Sequence, residues 1–272
     1  MMRDPAPIGV FDSGFGGLSV LRAITRALPH EPLVYCADHA WLPYGEREPE
    51  AVRERARQIS GRLLEAGCKA IVIACNTATA AAADILRAEL DVPVVGMEPA
   101  VKPAAAATRN GVIGVLGTGG TLASSRFAGL LQRYAGGLTV LTRPCPELVR
   151  VVEEPGADPQ TKQGLVAAAV HPLLAGGADV LVLGCTHFPF LRAEIEAAAG
   201  PGVTVIDTGP AVARQLVRRL DEAGLRSAGQ ARATTRFWTT GDPARLTPVL
   251  ACMWGEGELA GLATEPVARA PD

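Results

Sequence analysis

The sequence predicts an α/β protein of two pseudo-symmetric lobes, each a mainly parallel sheet flanked by helices, with the functional site in the cleft between them. Three observations carry that prediction. Short runs of Val, Ile and Leu alternate with longer segments of helical periodicity, the pattern of parallel strands buried on both faces. The order of these segments starts again half-way along the chain. Two of the runs, 71–79 (IVIACNTAT) and 180–189 (VLVLGCTHFP), end in a cysteine followed by polar residues, with Cys75 and Cys185 110 positions apart. Such cysteines stand just past strand ends, where open α/β sheets bind ligands.

Taken in order, residues 7–11 (PIGVF) form the first strand, and 12–17 (DSGFGG) a glycine-rich turn into a helix over 18–28. Glycine lets such a turn approach a ligand closely, and a helix start offers free N–H groups to an anion. The Asp12 charge would repel a phosphate and better suits an ammonium group or proton transfer. The plain alternative is Asp12 or Ser13 as a helix cap. A second strand over 33–36 leads to Asp38 and an aromatic loop, 39–45 (HAWLPYG). A charged helix over 49–66 reads as a solvated face with local ion pairs. A third strand (70–74) reaches Cys75, an alanine-rich helix follows (78–90), and a fourth strand (92–97) precedes Glu98.

The second half repeats this order with strands at 112–116, 138–142, 179–183 and 203–206. Ile8 and Ile113 are 105 apart, as are Leu33 and Leu138, whereas Val95 and Val205 are 110 apart, as are the two cysteines. The repeat is topological, since identity between the halves is low. Right-handed crossovers put all strand ends of a lobe on one edge. Those ends bear Asp12, Asp38, Cys75 and Glu98 in one half and Thr118, Cys145, Cys185 and Asp207 in the other. Residues 1–97 and 208–272 are expected to form the first lobe, and 98–207 the second. In the tail, a helix (209–223), a strand (233–239) and a helix (247–254) should return to the first lobe, leaving 258–272 as a loose end.

Composition narrows the classes. The 272 residues are 48% hydrophobic, enough for two cores, with a net charge of −2 and only 4% aromatics. Nothing there marks nucleic acid or a membrane as a partner. No stretch reads as a signal peptide core or a membrane span, so a cytoplasmic protein with reduced thiols is expected. There is no CxxC pair among the six cysteines. Cys36, Cys68 and Cys252 read as small buried residues. Cys145, in a Pro–Cys–Pro loop, is open to either reading. His30, His39 and His171 show no partner pattern and are expected to be exposed. Asp207 reads as a cap for the helix after it.

A covalent hydrolase needs one nucleophilic cysteine with a base. Two equivalently placed cysteines, each with its own assistant (Asp12 for Cys75, His187 for Cys185), suit a different operation. Two thiols on opposite faces of one carbon can remove a proton from one side and return one on the other, inverting a stereocentre. No cofactor motif offers an electron sink. Positioning and exclusion of water would carry the work instead. Ser13, Asn76, Thr77, Thr118 and Thr186, with backbone N–H groups, are neutral donors for carboxylates. His187 could instead be a buried histidine bonding a carbonyl, or with Cys185 part of a metal site needing a third ligand.

DSGFGGLSVL (12–21), LPYGE (42–46), CNTATA (75–80), VGMEPAVKPA (95–104), LGCTHFPFL (183–191) and TTGDP (239–243) resemble the glutamate racemases of the cofactor-independent aspartate/glutamate racemase family. The resemblance covers nearly the whole chain. It implies interconversion of L- and D-glutamate without cofactor or metal, supplying D-glutamate for bacterial peptidoglycan, by a protein that is often a homodimer. It implies that Cys75 acts on the D-glutamate proton and Cys185 on the L-glutamate proton. Asp12, His187 and Glu153 match the assisting groups, and Asp12, Ser13, Tyr44, Gly45, Asn76, Thr77, Thr118, Thr121, Thr186 and His187 the substrate contacts. Few residues precede the first strand, so the regulatory N-terminal extension of some members is not expected. Aspartate racemases of the same plan tend to carry glutamate where His187 stands and lack DSGxGG. Other readings remain: a racemase for aspartate or another amino acid, a two-lobed dicarboxylate-binding protein without chemistry, or, more remotely, a nucleotide-binding protein, although neither glycine-rich turn matches a full phosphate-loop pattern.

Overall fold

The computed structural model of the chain describes residues 6–154, 156–229, 231–255 and 262–264. In chain order its elements are β1 (Ile8–Asp12), α1 (Leu18–Ala27), β2 (Leu33–Ala37), α2 (Pro49–Glu65), β3 (Ala70–Ile73), α3 (Asn76–Glu89), β4 (Val94–Val95), α4 (Val101–Ala107), β5 (Val112–Gly117), α5 (Gly119–Leu122), α6 (Ser125–Tyr134), β6 (Thr139–Pro144), α7 (Pro146–Glu153), α8 (Pro159–Ala175), β7 (Val180–Gly184), α9 (Arg192–Ala199), β8 (Thr204–Ile206), α10 (Gly209–Glu222), β9 (Thr235–Thr239), α11 (Pro243–Trp254) and β10 (Leu262–Thr264).

The strands make two sheets with parallel pairing throughout the described residues. One runs β10-β9-β2-β1-β3-β4 and the other β6-β5-β7-β8. The order second–first–third–fourth is therefore the same in both halves, as the offsets predict. Ile8 pairs with Ala70 and Ile113 with Val180, which keeps the offsets at the third strand. At the second strand the later copy is displaced: Ile8 pairs with Leu33 but Ile113 with Val140.

The fully apolar runs become central strands because both faces are covered. Every residue of β1, β2, β3 and β7 is buried, while edge strand β6 is largely exposed. Helix α1 buries Leu18, Val20, Leu21 and Ile24 with Val212, Ala213, Leu216 and Leu220 of α10 against one face of the larger sheet. Side chains of α2 and α3 cover the other face. In the smaller sheet α7, α8 and α9 supply one core and α4 and α6 the other. Each buried Leu, Val or Ile contributes about 1.5–3 kcal/mol.

The tail returns to the larger sheet, where β9 pairs with β2 and β10 with β9. Most of 258–272, read from sequence as a loose end, lies outside the described residues, but Leu262–Thr264 within it form a strand. Cys252 corrects another expectation. It is exposed, because on α11 the residues Val249, Leu250 and Met253 take the buried face. Cys36, Cys68 and Cys145 are buried. Asp207 accepts the Gly209 N–H at 3.0 Å, the capping role expected of it, and also pairs with Arg192.

Candidate active site

The first thiol owes its place to a tight strand-to-helix junction. β3 ends at Ile73 and α3 begins at Asn76, so Cys75 is the N-cap of α3, its Sγ 3.5 Å from the Ala78 N–H. Asp12, at the end of neighbouring β1, stands beside it. The Asp12 carboxylate accepts the Gly17 N–H at 2.6 Å, with the Ser13 and Thr186 hydroxyls each at 3.4 Å. Burial raises the pKa of Asp12 above its ordinary value, against the opposing pull of His187 and the Gly17 N–H. Burial, and next the Asp12 charge, push the Cys75 thiol well above the usual thiol range. Cys75 is therefore held as a neutral thiol.

The second thiol has different company. After β7 the chain makes a 3-10 turn, Phe188–Leu191, before α9 starts at Arg192, and this leaves room for His187 to fold back. Its Nδ1 is 3.6 Å from Cys185 Sγ, and its Nε2 2.7 Å from Glu153 Oε1. Burial alone would lower the histidine pKa. Cys185 and Glu153 on either side outweigh it and hold His187 well above its ordinary value, as an imidazolium. Glu153, the last residue of α7, shows the converse: burial would raise it, but His187 and His39 hold it well below the usual carboxylate range.

The two halves interlock through the 13–17 turn. Glu153 Oε1 also accepts the Phe15 N–H at 2.6 Å. A Cβ at Gly14 would run into the Glu153 carboxylate, and one at Gly16 into the His187 ring. Neither glycine has a positive φ, so close approach rather than backbone freedom requires them.

Both thiols border one small, partly open cavity, with Ser13, Pro43, Tyr44, Gly45, Asn76, Thr77, Thr118, Val149, Thr186 and His187. The space open to the centre of a water-sized sphere is about 20 Å³, room for roughly one water. Asn76 is buried and, among the described residues, neither its amide nitrogen nor its oxygen has a partner, which leaves a donor and an acceptor for a ligand. Thr77 Oγ1 lies 2.8 Å from Thr118 Oγ1, which ties the two lobes at the rim. Tyr44 is fixed by its bond to Asp38 (2.6 Å), itself held by Arg55 at 2.6 and 2.8 Å.

Most residues expected at the site are thus together, with exceptions. Asp12, Glu153 and Thr121, the first and last read as substrate contacts, do not border the cavity. Asp12 sits behind Cys75 and Ser13, and Thr121 backs Thr118 and Thr77 at 2.9 and 3.3 Å. Asp38, Glu98 and Cys145 share the strand-end edges but are engaged elsewhere: Asp38 with Arg55, Glu98 with Arg126, and Cys145 with the Arg143 carbonyl. Sequence reasoning missed His39, expected exposed, whose side chain is 7% exposed and bonds Glu153 at 3.0 Å. Val149 was also missed, and nothing in a lone valine signals a cavity wall. Among the described residues no three His, Cys, Asp or Glu side chains are grouped to hold a metal ion.

Residues 8–216 match the family model described as Asp/Glu/Hydantoin racemase. The chain belongs to this family. It is an isomerase of the racemase class. It is 54% identical to the glutamate racemase of Pseudomonas entomophila (strain L48), over 95% of this chain and 97% of that one. Among solved structures it resembles glutamate racemase isoform RacE1 from Bacillus anthracis, with a TM-score of 0.85, 34% identity and 97% of each chain covered. It also resembles the Escherichia coli glutamate racemase in complex with L-glutamate and the activator UDP-MurNAc-ala, with a TM-score of 0.85, 32% identity, and 97% of this racemase and 100% of that chain covered. Among the described residues, no helix is long and apolar enough to cross a membrane.

Proposed function

We propose that this racemase interconverts L- and D-glutamate by a two-base mechanism, with Cys185 acting on the L-enantiomer and Cys75 on the D-enantiomer. The observation that carries the reading is the pair of thiols, one from each sheet, bordering a single cavity beside the unpartnered Asn76 amide. The 54% identity to a glutamate racemase supports glutamate as the substrate.

From L-glutamate, the Cys185 sulfur as thiolate takes the α-proton. The electron pair left on carbon then takes the Cys75 thiol proton on the other face, giving D-glutamate, a Cys185 thiol and a Cys75 thiolate. Asp12 passes a proton to the Cys75 thiolate, and His187, already an imidazolium, stabilises the Cys185 thiolate; when the lobes part, solvent takes the Cys185 proton and resupplies Asp12, which restores the starting state. Asn76, Ser13, Thr77, Thr118 and Thr186, with backbone N–H groups, are the substrate-binding donors, and Tyr44 and Gly45 close the wall. A cavity of one water is far below the roughly 300 Å³ of a small-molecule site, so glutamate enters only when the lobes part and reacts where closure excludes water. The lobes in this reading are 1–97 with 208–272 and 98–207, supported by the return of β9 to the larger sheet.

The wider reading is D-glutamate supply for peptidoglycan, in the cytoplasm, by a homodimer. Six free cysteines suit a reducing compartment. Family resemblance supports the dimer, which light scattering tests. The decisive assay incubates the protein with L-glutamate, L-aspartate and L-alanine in D2O. Deuterium enters the α-carbon of glutamate with inversion and far faster than the others. Absence of exchange would sink the enzyme reading, and preference for aspartate would reassign the substrate.

A further inference from the structure

We propose that His39 is a positioning residue for the second thiol, fixing Glu153, and through it His187 and Cys185, from the opposite lobe. This rests on the two-base reading above.

His39 opens the 3-10 turn after β2, in the first lobe. Its Nε2 lies 3.0 Å from Glu153 Oε2 and its Nδ1 3.2 Å from Thr239 Oγ1, at the end of β9. The Thr239 hydroxyl oxygen accepts the Gly241 N–H at 3.1 Å, which leaves its own hydrogen for His39 Nδ1. Nδ1 is then the acceptor, and Nε2–H donates to the carboxylate. The network assigns this tautomer. The ring packs edge-on to Phe15, with centroids 4.3 Å apart. The backbone makes room for it, since a Cβ at Gly241 would stand 2.9 Å from the His39 Cβ. Glu153 therefore has Oε1 held by His187 and Phe15, and Oε2 held by His39. With His39 removed, a buried carboxylate oxygen loses its partner, and the carboxyl group turns toward whatever can replace it, taking His187 with it.

The chain Thr239–His39–Glu153–His187 ends at Cys185. Cys75 has Asp12 and the Ala78 N–H as its direct partners, and the Glu153–His187 pair reaches it only through Asp12. Loss of His39 should thus slow proton transfer at Cys185 more than that at Cys75. For a racemase the equilibrium constant is one, so kcat/KM stays equal in the two directions in every variant. The selective effect appears in the isotope effects measured with α-deuterated glutamate.

The experiment compares the unaltered protein with His39→Ala, His39→Gln and Thr239→Val. For His39→Ala, kcat/KM should fall about tenfold to a hundredfold, less than for a direct acid–base group. The deuterium isotope effect on kcat/KM should rise from L-glutamate, whose proton leaves to Cys185, and fall from D-glutamate. His39→Gln, which can restore an N–H donor, should return both effects toward the original values. Thr239→Val should shift them in the same sense but less, and it tests the same chain if His39→Ala does not fold. Isotope effects that stay put, or move in the opposite sense, would overturn the proposal and leave His39 as a packing residue. If the unaltered protein does not exchange the glutamate α-proton at all, it is the racemase reading that fails.

Discussion

Cys75 and Cys185 stand at equivalent strand ends in two sheets of the same order, yet their surroundings differ in kind. Cys75 caps a helix that starts at the next residue, beside a buried carboxyl group. Cys185 precedes a short turn that brings an imidazolium to its sulfur and a carboxylate behind that ring. The cause is loop length. Where the helix starts at once, no side chain can fold back, and the assistant must come from the neighbouring strand. Where the helix is delayed to Arg192, the chain supplies its own assistant and recruits Glu153 from α7. A duplicated topology thus presents one substrate with two unlike acid–base systems.

Replacing either sulfur tests the comparison most severely. Cys75→Ser and Cys185→Ser should each lower racemisation by roughly 10³-fold or more, since a hydroxyl cannot serve as base where a thiol does. The enantiomer ratio followed by circular dichroism from each pure glutamate enantiomer checks this. Near-normal turnover in one variant would leave a single working thiol and end the comparison.

Gly16→Ala aims at the second system alone. Its Cβ would meet the His187 ring, while the backbone at Gly16 has no positive φ. The expected result is a fall of about 10²-fold in kcat/KM with a destabilisation of about 1–3 kcal/mol from overpacking against the buried ring. Gly61→Ala is the matched control. It sits in α2 with open space around it, and it should leave activity unchanged while stabilising by about 0.4–1 kcal/mol.

Stability against pH should separate the two assistants by sign. Asp12 has its folded pKa raised, so its contribution is greatest below the unfolded value of about 3.9 and is lost as pH rises through the folded one. Asp12→Asn should therefore raise the melting temperature near pH 7 by about 2–4 °C, with the gain vanishing near pH 3, while activity falls. Glu153 has its folded pKa lowered, so its stabilisation is complete above about 4.3 and is lost as pH falls toward the folded value. Glu153→Gln should lower the melting temperature at pH 6, by an amount that shrinks below pH 4. His187, raised, contributes fully below about 6.5 and loses that contribution as pH climbs through its folded value. Thermal melts across pH read all three. Shifts of the same sign in the Asp12 and Glu153 variants would contradict the distinction between the assistants.

Alternation of apolar runs with helical segments, the repeated order and the paired cysteines were legible in the sequence because each is a local or periodic property of the chain. A run such as AIVI at 70–73 can be nothing but a buried strand once helices flank it, and right-handed crossovers then send every strand end to one edge. Family motifs added Glu153 and the contacts of Tyr44, Gly45 and Thr121, which spacing could not. Tertiary structure decided what periodicity does not encode. It separated Cys75 and Cys185 from Cys145, and Asp12 from Asp38, although all stand near strand ends. It turned Cys252 outward, because only one face of α11 meets the core. It placed Asp12 and Thr121 behind the cavity rather than in its wall. It also brought His39 to Glu153 across 114 positions and to Thr239 across 200. Hydrogen bonds at such separations depend on how two sheets dock, which is a matter of side-chain shape at the interface, whereas the strands themselves depend only on which residues avoid water.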